Sequence, residues 1–158
     1  MANQSQGLNE DRVACLIGGF IFLLGMAYFW GVDLIGWICK MGMWVGDPMK
    51  CFKAAHKGYM EGWQALICTY VFVTVMLAVG IKLMKGNVFR FIIAFTVVYF
   101  IAICCYVIGA NAYIAANPTQ IAKMGVPWAL GLSTEAGLIV ALIVGIIIGN
   151  LFPSVVEY

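Results

Sequence analysis

Charge is scarce in this sequence. Only 10% of its 158 residues are Asp, Glu, Lys or Arg, against about a quarter in a soluble domain. Apolar residues make up 64% and the mean hydropathy is +0.99, more apolar surface than a soluble fold of this length could bury. The composition excludes a soluble domain and predicts an all-α membrane protein. A single histidine, His56, excludes any His-based metal or catalytic cluster. The C-x-x-C pattern is missing as well. Of Cys15, Cys39, Cys51, Cys68, Cys104 and Cys105, four fall inside apolar runs, and the adjacent Cys104 and Cys105 point to different faces of a helix. Cys39 and Cys51 form the one loop pair, too far apart in sequence to favour a thiol oxidoreductase. The thiols read as small apolar packing groups, with no metal and no cofactor expected.

Ionisable side chains are also missing from the centres of the apolar runs, where membrane enzymes and proton relays place them. Thr69, Thr74, Thr96 and Tyr106 are the polar residues well inside. Each has a hydroxyl that can bond a helix carbonyl or a neighbouring helix. No nucleophile–base pair is available, so the chain is not expected to be an enzyme. The N-terminal "MANQSQGLNEDR" lacks the net positive charge of a signal peptide, and the following apolar run is too long for one. It is expected to stay as a spanning helix.

Four runs approach the roughly 20 residues that cross a bilayer, at 13–32, 63–83, 89–116 and 135–152. The third is expected to end where "NP" begins. Between the first two, the connection 33–62 splits at "GDP". Before that point Trp37 and Trp44 suit the headgroup level. After it, Asp47 and Pro48 resemble an N-cap and first helical residue. Lys50, Lys53 and Lys57 then fall opposite Met49, Phe52, Tyr59 and Met60, predicting a short amphipathic interfacial helix over 47–62. The expected fold is four transmembrane helices plus that interfacial helix. Arg12, Lys82, Lys85 and Arg90 lie on one side of the membrane, and Lys40, Lys50, Lys53, Lys57 and Lys123 on the other, offset by Asp33, Asp47 and Glu61. Weighting the acid-free 82–90 loop most places both termini of this multi-pass inner (plasma) membrane protein in the cytoplasm.

The fourth run, "EAGLIVALIVGIIIGNLFP", repeats a small residue every fourth place: Gly137, Ala141, Gly145 and Gly149. Such a face admits another helix at short range. Ser133 or Thr134 can cap its start, with Glu135 favourably placed in its first turn. Asn150 and Pro153 read as the helix break, either a plain stop or the end of a broken helix framing a transport site.

The stretch "AGLIVALIVGIIIGNLFP", through Ala141, Leu142, Gly145, Gly149, Asn150 and Pro153, resembles the first core helix of the YeiH family of sulfate exporters. The match is closest over 127–153. "RFIIAFTVVYFIA", "YIAANP" and "WALGLSTEAG" more loosely resemble the N-terminal extension of larger members. The resemblance implies a polar tail at 1–12, an extension of three spans and an interfacial helix at 13–126, and the start of a transporter core at 127–158. Family members continue far beyond such a helix, so the implied function is the N-terminal part of an inorganic-anion exporter. No substrate-binding residue can be carried over. The competing expectation is a complete four-helix subunit that dimerises through the small-residue face. Expected partners are the lipid bilayer and either the missing core helices or a second copy, with no nucleic acid.

Overall fold

The computed structural model describes residues 10–56, 58 and 60–151. Its packing divides into two units, Met1–Cys39 with Ala54–Val98, and Lys40–Lys53 with Tyr99–Tyr158. Three helices are long and apolar enough to cross a membrane, at Glu10–Trp30, Gly62–Leu83 and Val88–Gly109.

In the first unit α1 (Glu10–Met26) begins with two acids in its first turn and continues through a 3-10 turn, Ala27–Trp30. It stops at Gly31, whose φ of 79° lies in the left-handed region that a Cβ disfavours. α2 (Gly62–Leu83) starts with a capping box in which Glu61 and Gln64 exchange side-chain and backbone hydrogen bonds. The Trp63 indole N–H also donates to Glu61 Oε2, at 2.9 Å. The start of α1 packs against the end of α2, so the two run antiparallel. A Cβ added to Gly80 would lie 2.9 Å from Ile17 Cδ1 and 3.1 Å from Val13 Cγ1. The first half of α3 (Val88–Gly109) meets α2 through a 2.6 Å bond between the Tyr70 and Thr96 hydroxyls and through stacked Tyr70 and Phe95 rings.

The second unit is built around the other end of α3. Strands β1 (Cys39–Met41) and β2 (Phe52–Ala54) pair, reinforced where Gly42 N–H donates to Cys51 O at 2.7 Å. This replaces the interfacial helix expected over 47–62. Asp47 and Pro48 do start a helical turn, with the Asp47 carboxylate accepting from Met49 N–H at 3.0 Å, but the turn is 3-10 and ends at Cys51. There the Cys51 side chain is fully buried, and from Phe52 the chain enters the strand pairing. That pairing commits backbone groups which a continuing helix would need. Lys50 therefore sits in a turn and Lys53 in a strand, and no common helical face joins them. Lys57 and Tyr59 lie outside the described residues.

The third span also ends earlier than expected, at Gly109. Trp44 explains the break: its N–H donates to Ala110 O (3.2 Å), its carbonyl accepts from Ala112 N–H (3.0 Å), and its indole donates to Val107 O (2.7 Å). These bonds occupy groups that would otherwise carry the helix through residue 112. The chain turns again as α4 (Ala112–Ala115), capped by the Asn111 side chain, and α5 (Pro118–Met124), closed by left-handed Gly125. Ala112, Ala116 and Val126 form a small core with Met43, Ile121, Met124 and Ala129. Ser133 opens a 3-10 turn, Ser133–Glu135, ahead of the next helix, and the side chain of Thr134 lies outside the described set. α6 (Ala136–Leu151) follows. Its 16 residues reach about 24 Å, short of the roughly 30 Å hydrocarbon thickness, so over its described residues it is a shorter apolar helix than the other three.

Candidate functional site at the meeting of two helix ends

The small-residue ladder is in use at one end only. A Cβ on Gly137 would lie 2.5 Å from Tyr106 Cδ1, and one on Gly109 would lie 2.5 Å from the Gly137 Cα. The end of α3 and the start of α6 thus touch backbone to backbone, with the Tyr106 ring laid over Gly137. Ala141 is half-buried. Among the described residues, nothing lies within 4 Å of where a Cβ on Gly145 or Gly149 would stand. Asn150 remains helical and donates from its side chain to Ile146 O at 2.7 Å, so no left-handed turn occurs at that residue. Pro153 lies outside the described residues.

Beside this crossing is a cavity of about 500 Å³ whose lining includes Lys40, Met41, Tyr106, Gly109, Ser133 and Gly137. Its walls are largely apolar, and Lys40 is the charged residue among them. A cationic rim on an apolar chamber attracts an anion while offering few groups to hold it. Gly109 is a wall residue that sequence reading passed over. Its signal in the sequence was only a glycine within the apolar run 89–116.

The threonine hydroxyls within the spans are committed to structure. Thr69, Thr74 and Thr96 each donate to the carbonyl four residues back, all at 2.7 Å. Thr69 Oγ1 also accepts from Cys39 N–H at 2.8 Å. Cys51 and Cys105 are buried, and the Cys51 Sγ lies 3.7 Å from Met41 Sδ. Among the described residues no three His, Cys, Asp or Glu side chains converge as a metal site would require.

A second polar arrangement, in the first unit, was invisible in the sequence. His56 Nδ1 contacts the Asp33 carboxylate across 23 positions, and the Tyr28 ring lies 5.8 Å from the imidazole. A backbone bond from His56 N–H to Gly36 O, at 2.9 Å, fastens the same two segments. A Cβ on Gly36 would overlap the Asp33 carboxylate, so a larger residue there would displace that side chain from its present position. The hydrogen bond from His56 is the main cause that holds the Asp33 carboxyl below its ordinary pKa.

Comparison with known proteins agrees with a membrane assignment. The chain is 27% identical over 152 residues to a UPF0324 membrane protein of Nitrosomonas europaea, a match covering 94% of this chain and 31% of that protein. The chain thus spans about a third of the length of the curated relative it matches. No family model matches the sequence, and no solved structure does. With three long apolar helices and this relative, the chain is an integral, multi-pass membrane protein in contact with lipid.

Proposed function

We propose that this chain is the N-terminal part of a membrane transporter that exports an inorganic, sulfate-like anion. The observation that carries this reading is the open half of the α6 ladder. Gly145 and Gly149 offer a helix-sized groove, and among the described residues nothing lies within 4 Å of where their Cβ atoms would stand. A relative about three times as long supplies a reason for the vacancy: further helices would lie there. The Lys40-rimmed cavity favours an anion over a cation. In this reading both termini face the cytoplasm, and labelling a cysteine placed at Lys85 from outside intact cells would reverse that orientation.

The same open groove also fits a second copy of the chain, which would make it a self-sufficient small subunit. Cross-linking in lipid vesicles separates the two readings. The transporter reading expects a largely monomeric chain whether or not Gly145→Leu is introduced. A strong dimer abolished by Gly145→Leu would establish the subunit reading instead. Anion export is tested by sulfate efflux from vesicles holding the product of the whole reading frame. Efflux absent there as well as from this chain alone would remove the transport reading.

A further inference from the structure

We infer that the segment following α5 is a membrane-interface anchor, inserting an aromatic and aliphatic ridge at the boundary between phospholipid headgroups and acyl chains. Residues 128–130 alternate as an extended strand does. Trp128 and Leu130 are 58% and 64% exposed, while Ala129 between them packs against the Ala112–Ala116–Val126 core. Beyond left-handed Gly131, Leu132 is exposed too. Tyr113 stands beside Trp128, ring centroids 5.7 Å apart, and widens the ridge.

Three observations identify lipid as the occupant. First, the level in the bilayer is set by the contact of Gly109 with Gly137. Residues 110–135 lie where the membrane-spanning α3 stops and the apolar α6 starts, which is the depth of an interface. Ile108 and Leu138, at those two helix ends, also turn exposed apolar side chains outward. Second, the ridge is irregular backbone that can tolerate a water-poor setting. Leu130 N–H donates to Tyr113 O at 2.9 Å and Leu132 N–H to Ile114 O at 3.1 Å, so neither amide needs water. Third, its chemistry is that of an interfacial belt. Tryptophan and tyrosine combine an apolar ring with a polar tip. The ridge itself carries no charge; the charges in 110–135 are Glu135, at the start of α6, and Lys123, exposed in the last turn of α5, where an ammonium can reach phosphate. A water-facing surface gains nothing from such a ridge, and an acid-free one suits a phosphate-bearing layer.

The test uses the intact chain in phosphatidylcholine vesicles, comparing wild type with Trp128→Phe. The emission lost in the variant is that of Trp128. It is expected to be quenched strongly by lipids brominated near the ester end of the acyl chain, less by lipids brominated near the chain terminus, and little by aqueous iodide. Quenching by iodide with no effect of brominated lipid would place the ridge in water and overturn the inference. Resistance to both quenchers would place it against protein and overturn it equally. If Trp128→Phe disturbs folding, Leu130→Trp in the wild-type background adds a reporter on the same ridge, and the same quenching pattern decides.

Discussion

Gly137 and Gly145 stand two turns apart on one helix and belong to one sequence pattern, yet their surroundings differ completely. At Gly137 the hydrogen is needed, because the Tyr106 ring occupies the space a methyl would take, and a methyl on Gly109 would in turn meet the Gly137 backbone. At Gly145 no described residue enters that space. A small residue permits close approach but does not bring a partner with it. Gly80 in the first unit is an intermediate case, since its neighbours are the tips of Ile17 and Val13. Rigid backbone, mobile side-chain ends and open space make a graded series.

Substitution by alanine along that series should break or sharpen the contrast. Gly109→Ala is expected to have the largest effect, about 3 kcal/mol of destabilisation, since overpacking against fixed backbone forces the helix ends apart. Helicity lost against added denaturing detergent measures it, and an unchanged midpoint would show that α3 and α6 do not touch there. Gly80→Ala should cost about 1 kcal/mol in the same assay, because the Ile17 and Val13 side chains can rotate away.

An acid titration probes a region that involves neither crossing. Asp33 has a folded-state pKa below its unfolded value, so the stability it adds is present above the usual carboxylate range. That stability is lost as pH falls through the depressed folded value. His56→Ala should move the carboxyl back toward its ordinary range, and carboxyl NMR of Asp33 would read the shift. An unmoved titration would mean that His56 is not the cause. Gly145→Ala should do least, under about 0.5 kcal/mol in this chain. A large loss there would reveal an occupant of the groove.

Much of the fold was legible because hydropathy over 20 residues needs no tertiary information. The runs 13–32 and 63–83 became helices close to those bounds, with Gly31 and the Glu61–Gln64 box supplying the ends. The failures come from long-range partners. Lys50 and Lys53 have a spacing that suits a helix, but burial of Cys51 and pairing with β1 decided their backbone. The helix break at Gly109, within a run expected to reach residue 116, depends on Trp44 capturing the groups just beyond it. Asp33 and His56 carry no local pattern at all, and only a fold can bring them together. At the site, the period of four drew attention to Gly137, whereas Tyr106 and Gly109, which lie against it, belong to a different run.

The Trp44 bonds also impose an order of events in time. The indole reaches a carbonyl 63 residues further along. At translation rates of roughly 5–20 residues per second, residue 107 is made about 3–13 s after residue 44. A strand pair, by contrast, closes in roughly 1–10 μs. During synthesis the Trp44 indole therefore has no access to its Val107 partner until α2 and nearly all of α3 have been made. The second unit can finish only after the ribosome has released the end of α3, which makes that tryptophan the latch of a late assembly step.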